Sequence, residues 1–553
     1  MSKNLFFYKS KIKTKNDLLI LSDSNYNIIN NFYYETHPWN SDKQYFSDYK
    51  LITKIEKNFI LFFKNQFKKK YSLNRPLPYW NIIFLPSIYY ALSFIRARYS
   101  ILNRIHKSHK VNKFYSPSYK LEEWIPKTTS HLMRNIKDPN FSTIIYSEIA
   151  NLFFKKKSDI SKSIIAPKYL DRISLSRKIK IINLLNIKKT NTIINESYLN
   201  AKIFNLFNNN KYFFEDNFQS TTGVDLYDRD IIFNFSYKNY GNPYIDIAKK
   251  LIKYFIPKSI IEDLDSFKRF ANINNVIAGT KIINDDFFKK FCANHIIDKK
   301  KLYIIQHGGS YDCLKFNQLE VREKKISEFI HWGENKNKSI KLLSATKLLG
   351  RKLNNNFNSK KIIFFAQNYT FKVNHFGDGP YAPLKHISFQ KEQLNTILKI
   401  KKLLTDSVHI KVPPFNKYES NSFLNDKLKK KKINFISRNV KIDDILKNFK
   451  YAITMDSGTI FLELLGLGYP CFLIKKDFWN FSKKFNKHLN NLKKINIIFN
   501  TVEDLNFFLK TNDFNHFWNK ILNNQSFLNF QKSYCYLNHK KPYDDWKSFL
   551  KNL

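Results

Sequence analysis

The segment YAITMDSGTIFLELLG, residues 451–466, decides the fold class that the sequence predicts. An apolar run leads directly into the polar turn Asp456-Ser457-Gly458, and apolar positions at helical spacing follow from Thr459. A short apolar run that ends in small polar residues and continues as a helix is typical of a parallel α/β sheet. We therefore predict an α/β fold organised around this segment.

Similar runs of strand length surround this segment in the C-terminal half of the chain. Six strands are predicted there: KIIFFAQ (361–367), VHIKV (408–412), INFIS (433–437), YAITM (451–455), CFLIK (471–475) and NIIFN (496–500). Helical spacing between them predicts helices at 389–404, 442–449 and 459–467. This succession describes one complete doubly wound domain of ordinary size.

A second succession of strands and helices precedes it along the chain. Strands are predicted at 276–280, 302–306 and 328–332, with helices at 285–294 and 317–325 between them. Strands and helices in tight alternation favour another parallel sheet.

The remaining N-terminal sequence is less regular. The run LLILS (18–22) predicts a strand, and residues 45–69 have helical spacing. Residues 79–95 are strongly apolar but fall short of the roughly 20 residues that a membrane-spanning helix needs, so we expect a buried helix. Residues 105–240 are rich in Asn, Lys and Tyr, and we predict helical insertions and loops there.

A length of 553 residues favours more than one domain. We predict an N-terminal α/β domain with helical insertions over 1–345 and a Rossmann-like domain over 346–515. Helices over 516–553 are expected to return toward the first domain, and the hinge is expected between residues 333 and 360. Two such domains face each other across a cleft, and open parallel sheets bind ligands at the carboxyl ends of their strands.

The charge is strongly positive, because 94 Lys and Arg residues against 45 Asp and Glu residues give a net charge of +49. A surface for nucleic acid or for an acidic membrane is one interpretation. The basic residues are spread along the whole chain together with Asn and Ile, a combination that low-GC genomes favour. We therefore favour compositional bias over a dedicated nucleic-acid surface. Weak attraction to an anionic membrane surface is expected under either interpretation.

The four cysteines are far apart and form no CxxC pair, so we expect reduced thiols in a cytoplasmic protein. The first residues lack the sustained apolar core and small-residue cleavage site of a secretory signal. The sequence shows no metal-ligand spacing, P-loop or GxSxG motif. We accordingly predict no metal and no cofactor.

The motif QHGGSY, Gln306–Tyr311, directly follows a predicted strand. Its two glycines allow the backbone to come close to a ligand. His307 is expected to point into the cleft, where an imidazole takes a proton from a hydroxyl or contacts a phosphate. Gly308, Gly309 and Ser310 are predicted to contact substrate. The alternative is a simple turn after a strand.

The turn at Asp456 is the second predicted site. The start of the following helix, with the hydroxyls of Ser457 and Thr459 beside Gly458, is expected to bind an anion such as phosphate. Glu463 lies one helical turn after Thr459, where a carboxylate accepts ribose hydroxyls in dinucleotide-binding folds. The alternative is an ordinary helix cap, for which Asp, Ser and Thr are preferred.

Other polar residues follow predicted strands of the same sheet. Lys411 ends the run VHIK and is expected to neutralise a diphosphate, although a chance placement is the alternative in a chain so rich in lysine. Arg438 has the same status. Residues 374–381, NHFGDGPY, are predicted to form a mobile loop over the cleft.

The chain resembles a family of transferases encoded in bacterial surface-polysaccharide gene clusters, often beside genes for sialic-acid-like sugars. The resemblance rests on the following elements: Trp39 with Asp42, the pair Tyr79-Trp80 with its apolar run, QHGGSY with Trp332-Gly333 downstream, TIFLELL (459–465) and GYP (468–470). One departure is Asp312, where the family pattern usually has glycine.

That family is similar to glycosyltransferases with two Rossmann-like domains, the GT-B-like arrangement. The resemblance implies metal-independent transfer of a sugar from a nucleotide-activated donor, with a CMP-linked acidic sugar best fitting the gene context. It implies a glycan or lipid-linked acceptor and His307 as the base. The cytoplasm, with weak contact to the inner face of the plasma membrane, is the expected location.

Two alternatives remain at this point. A nucleotide-sugar epimerase or hydrolase would use the same two-domain cleft and a similar phosphate site. A basic nucleic-acid-binding protein would instead bind generic DNA or RNA with a steep dependence on salt.

Overall fold

Strands and helices alternate around three parallel sheets in a computed structural model of the chain. The structure describes residues 3–6, 17–19, 38–39, 41–154, 157–167, 192–195, 226–235, 241–262, 264, 273–315, 317–334, 342–351, 356–367, 384–404, 407–412, 428, 433–437 and 440–553. The predicted loop 374–381 and Arg438 lie outside these residues.

The described residues contain the following strands: β1 (Lys3–Phe6), β2 (Asp17–Leu19), β3 (Val111–Ser118), β4 (Lys157–Ser163), β5 (Thr192–Asn195), β6 (Asn275–Ala278), β7 (Lys301–Ile305), β8 (Glu328–Ile330), β9 (Lys361–Phe365), β10 (Ser407–Lys411), β11 (Asn434–Phe435), β12 (Ala452–Thr454), β13 (Cys471–Ile474) and β14 (Ile498–Phe499).

The α-helices are α1 (Asp42–Tyr71), α2 (Leu77–Ser108), α3 (Thr129–Lys137), α4 (Pro139–Phe153), α5 (Leu226–Ile232), α6 (Pro243–Leu251), α7 (Lys258–Ile261), α8 (Lys281–Asn284), α9 (Asp286–Ile297), α10 (Gln318–Ile326), α11 (Leu384–Leu403), α12 (Ile442–Leu446), α13 (Thr459–Gly466), α14 (Lys483–Lys494), α15 (Val502–Thr511), α16 (Phe514–Leu522), α17 (Gln525–Tyr534) and α18 (Asp544–Lys551).

The C-terminal sheet contains all six predicted strands, in the order β11-β10-β9-β12-β13-β14, and every pairing in it is parallel. Counted from β9, this is the 3-2-1-4-5-6 order of a doubly wound fold. The chain order reverses between β9 and β12, and ligands of such sheets bind outside the carboxyl ends of the strands at that point. Residue Asp456 lies just beyond the end of β12.

The described residues before 345 form two separate four-stranded parallel sheets, ordered β2-β1-β3-β4 and β5-β6-β7-β8. The prediction of helical insertions and loops over 105–240 was incomplete: helices α3, α4 and α5 lie there, but so do strands β3, β4 and β5. Strand β4 reads KSDISKS and lies at the edge of its sheet among the described strands. A polar edge strand lacks the apolar run by which buried strands are recognised in a sequence.

The apolar run predicted as a buried helix belongs to α2, which packs against α1, α4 and α9. Its residues from Ile82 to Leu85 are almost completely buried. Arg96 of α2 forms an ion pair with Asp48 of α1 at 2.6 Å, and Asp48 also accepts from Trp39 at 2.9 Å. Across the described part of the chain, no helix combines the length and apolar character needed to cross a membrane.

The C-terminal tail contacts the β5–β8 sheet. Trp546 of α18 is buried in an apolar cluster with Ile277, Ile305 and Ile330 of that sheet. The Tyr536 N–H donates to the Trp332 carbonyl at 2.8 Å. The tail therefore joins this sheet to the C-terminal half, while the predicted domain boundary at 345 stays a prediction.

Candidate functional site

The loop Gln306–Tyr311, here called the His307 loop, begins directly after β7. The buried Gln306 side chain donates to the Gly308 carbonyl at 2.7 Å and accepts from the Trp332 N–H at 2.9 Å. The Trp332 indole donates to the Gln306 carbonyl at 2.6 Å. Because buried hydrogen bonds fix both ends of the glutamine, the glycine turn is held against the end of the sheet.

Residues Asp456–Thr459, here called the Asp456 turn, connect β12 to α13. The Asp456 carboxylate accepts from the Gly458 N–H at 2.7 Å, and the Asp456 N–H donates to the Thr454 hydroxyl at 3.0 Å. The Ser457 side chain is 3% exposed, and its hydroxyl has no hydrogen-bond partner among the described residues. A buried hydroxyl of this kind requires an explanation, and a bound ligand is one.

The His307 loop and the Asp456 turn are in direct contact. The Gly309 N–H donates to the Thr459 hydroxyl at 2.9 Å. A Cβ atom at Gly309 would lie 2.6 Å from the Thr459 nitrogen, whereas one at Gly308 would lie 3.6 Å from the Thr459 hydroxyl. The two predicted motifs therefore form one site, in which Gly309 packs on the start of α13 and the Thr459 hydroxyl joins the two loops.

His307 is largely buried, with 16% of its side chain exposed. Its Nδ1 lies 2.8 Å from the Tyr311 hydroxyl. Burial, followed by the positive charge of Lys347, lowers the pKa of His307 to about 4. The imidazole is consequently neutral near pH 7 and can accept a proton.

Glu463 is buried and paired with two basic side chains. Its carboxylate lies 2.9 Å from Arg351 Nη1 and 3.6 Å from Lys347 Nζ, and Arg351 also pairs with Asp443 at 2.7 Å. The sequence predicted contact between Glu463 and a ribose, which stays a prediction; in the structure the carboxylate pairs with Lys347 and Arg351. One nitrogen of Arg351, Nη2, is buried and has no hydrogen-bond partner among the described residues.

Sequence analysis missed this basic pair. Lys347 and Arg351 lie in TKLLGR, residues 346–351, within a stretch interpreted as a polar connection between the domains. Their spacing of four residues was a signal, but lysine-rich segments are frequent in this chain. Glu463, the carboxylate that pairs with both, lies more than a hundred residues away in the sequence.

The other predicted site residues have different surroundings. Lys411 donates to the carbonyls of Ser437 and Val440 at 2.6 and 3.1 Å, so its ammonium group holds the segment after β11. Ser310 is exposed. Among the residues that the structure describes, no group of three His, Cys, Asp or Glu side chains is arranged to hold a metal ion.

Comparison with family models assigns the chain to a class of enzyme. The model described as LIC12162 family transferase matches residues 12–550, nearly the whole chain. The chain is an enzyme of the transferase class, and it belongs to the LIC12162 family. Comparison with curated proteins and with solved structures gives no match. The match confirms the predicted transferase class.

The lowered pKa of His307 predicts an acid-sensitive contribution to stability. The unfolded chain binds this proton below about pH 6.5, but the folded chain binds it only near pH 4, so stability falls as pH falls through that window. At pH 5 the loss is about 2 kcal/mol relative to neutral pH. We expect His307→Gln to remove this part of the loss, measured by urea unfolding at pH 7 and pH 5.

The His307→Gln variant will retain some pH dependence from other histidines. Burial also lowers the pKa of His295 to about 4, and this contribution persists in the variant. Equal losses in wild-type protein and His307→Gln would show that the His307 ring is not held in its neutral form by the fold.

Proposed function

We propose that this transferase moves a sugar from a nucleotide-activated donor to a surface-polysaccharide or glycolipid acceptor. The contact between the His307 loop and the Asp456 turn carries the proposal. It brings a neutral imidazole from one parallel sheet to the ligand-binding edge of a second sheet that has Rossmann strand order. On this proposal the β5–β8 and β9–β14 sheets belong to the two halves of a GT-B-like arrangement.

The nucleotide is proposed to bind on the C-terminal side of this contact. The chain-order reversal between β9 and β12 is where such sheets bind nucleotides. Arg351 Nη2 and the Ser457 hydroxyl are buried groups whose unmet hydrogen-bonding capacity suits phosphate oxygens. Lys347 and Arg351 supply positive charge beside α13. Compensation of the phosphate charge without a metal is therefore part of the proposal.

The chemical step is proposed to be a single displacement. His307 takes the proton from an acceptor hydroxyl while that oxygen forms a bond to the anomeric carbon of the donor sugar. The bond between the anomeric carbon and the phosphate oxygen breaks, and its electron pair leaves on the nucleotide. Lys347 and Arg351 stabilise the negative charge that develops on this leaving group.

The donor is proposed to be a CMP-linked acidic sugar, as the family resemblance implies, and the reaction is proposed to occur on the cytoplasmic side of the membrane. Thermal-shift measurements with CMP, UDP, GDP and CDP test the nucleotide part, because a ligand of the native state raises the unfolding temperature. We expect one nucleotide, CMP, to give the largest shift. No shift from any of the four would contradict the proposed site.

A second measurement separates transfer from epimerisation or hydrolysis. Transfer releases free nucleotide from the donor only when an acceptor glycan is present. Release without acceptor indicates a hydrolase, and interconversion of donor sugars without release indicates an epimerase. Steep salt-dependent binding to generic DNA would instead favour the nucleic-acid alternative.

Removal of the basic pair or of its carboxylate partner is expected to weaken nucleotide binding. Arg351→Met and Glu463→Ala should each raise the nucleotide Kd roughly tenfold or more, the scale of one or two lost charge-assisted hydrogen bonds. Isothermal titration with the nucleotide that gives the largest thermal shift measures this change. An unchanged nucleotide Kd in both variants would show that the Arg351–Glu463 pair has a purely structural role.

The matched control is Lys399→Met. Lys399 also pairs with a glutamate, Glu503, at 2.8 Å, but both side chains are exposed on the surface of the same half of the chain. Its removal deletes a cation and an ion pair without touching the proposed site, so the nucleotide Kd should stay at the wild-type value.

A further inference from the structure

The His307 ring lies at one end of a buried chain of hydrogen bonds. Its Nδ1 lies 2.8 Å from the Tyr311 hydroxyl, and its Nε2 lies 3.4 Å from the same oxygen. The Tyr311 hydroxyl in turn donates to the Glu323 carboxylate at 2.8 Å. Tyr311 is 3% exposed and Glu323 is 2% exposed, so the chain is shielded from solvent.

Neighbouring contacts fix the orientation of both supporting side chains. The Tyr311 ring stacks on Phe329, with ring centroids 5.2 Å apart and an angle of 18° between the planes. Glu323 belongs to α10, and its neighbour Arg322 bonds to Glu56 of α1 at 2.6 Å. The α10 helix is therefore joined to α1, and a buried ion pair holds the backbone next to Glu323.

The protons available to the three hydrogen-bonded side chains determine which ring nitrogen of His307 is protonated. The Tyr311 hydroxyl has a single proton, and it donates that proton to the Glu323 carboxylate. The Tyr311 oxygen then has lone pairs but no proton for His307. The 2.8 Å contact therefore requires His307 to donate from Nδ1, which leaves the lone pair of the neutral ring on Nε2.

We propose that Tyr311 and Glu323 are positioning residues that hold His307 in the Nδ1–H tautomer, so that Nε2 accepts the proton of the acceptor hydroxyl. This inference rests on the proposed function in one respect only, the role of His307 as the base. The tautomer itself is a property of the protein without ligand. Neither residue contacts the reacting atoms, and both act through the imidazole.

The proposal predicts distinct effects for two conservative variants. In Glu323→Gln the amide can donate to the Tyr311 oxygen, which turns the hydroxyl proton toward His307 and favours the Nε2–H tautomer. In Tyr311→Phe the ring loses its acceptor, and both tautomers become populated. A wrong tautomer of a catalytic histidine slows the reaction on the order of 10⁴-fold in a comparable triad.

Nuclear magnetic resonance of ¹⁵N-histidine-labelled protein at pH 7 tests the tautomer directly. Two-bond correlations between ring nitrogens and ring protons distinguish Nδ1–H from Nε2–H, and the His307 signals are those that disappear in His307→Gln. We expect Nδ1–H in wild-type protein, Nε2–H in Glu323→Gln and a mixture in Tyr311→Phe. Glu320→Gln on the same helix and Tyr534→Phe, which removes another buried hydroxyl, should leave the His307 signals unchanged.

An Nε2–H tautomer in wild-type protein overturns the proposal, whether or not the variants fold. Unchanged His307 signals in folded Glu323→Gln also overturn it, because the carboxylate would then not set the tautomer. These readouts need no nucleotide, so they are independent of the thermal-shift test of the proposed function. Where a donor is identified, Glu323→Gln should lower kcat while leaving the donor KM nearly unchanged.

Discussion

Gly309→Ala is expected to separate the His307 loop from α13 and to reduce transfer at least 10²-fold. The added Cβ would lie 2.6 Å from the Thr459 nitrogen and 2.7 Å from the Thr459 Cα, and both are backbone atoms that cannot rotate away. The two loops must therefore move apart, and a misplacement near 1 Å costs on the order of 10²-fold in rate. Overpacking of this kind also costs about 1–3 kcal/mol of stability.

Gly308→Ala is the matched variant for the fold. Its Cβ would meet only the Thr459 hydroxyl at 3.6 Å, an ordinary van der Waals contact. We expect its unfolding temperature to stay close to that of wild-type protein while that of Gly309→Ala falls. Equal unfolding temperatures for the two variants would show that the Gly309–Thr459 contact does not persist in solution.

His307→Gln is expected to slow transfer by about 10²–10⁴-fold with nearly unchanged nucleotide affinity, the usual scale for loss of a general base. Single-turnover kinetics measure the rate, and titration calorimetry measures the affinity. If affinity falls together with rate, His307 contacts the phosphate instead. Retained activity would show that His307 is only a turn residue without a catalytic role.

The control for this variant is His516→Gln. His516 is exposed near the start of α16, far along the chain from both loops, so its replacement should change neither the rate nor the affinity. Loss of activity in this control would indicate that the assay responds to changes other than those at the proposed site.

The C-terminal sheet was predictable because its strands are buried on both faces. Ala452, Ile453 and Thr454 of β12 are completely buried, and such strands read as short continuous apolar runs. Strand β3 was not predictable on the same grounds, since its buried Phe114 and Ser116 alternate with partly exposed positions and its pairing register with β4 shifts after Pro117. A polar edge strand such as β4 can be identified only once the strand with which it pairs is known.

Within the site, sequence reasoning found the residues that lie in compact motifs and missed those that depend on distant partners. Tyr311 was visible in QHGGSY, but its bond to Glu323 exists only because α10 folds back onto the loop. At Asp312, a departure noted in the sequence corresponds to an unusual backbone conformation in the structure. Asp312 has a φ of 55°, a conformation that glycine adopts readily and that aspartate is among the few other residues to adopt.

The contact between the tail and the β5–β8 sheet has a consequence for synthesis on the ribosome. Ile277, Ile305 and Ile330 are made early, but Trp546, which covers them, is made some two hundred residues later. At about 5–20 residues per second, that apolar face lacks Trp546 for on the order of 10–40 s. Nascent chains in this interval expose apolar surface that favours aggregation. We therefore expect the supply of chaperones to limit the yield of folded protein more than the amino-acid sequence of the tail does.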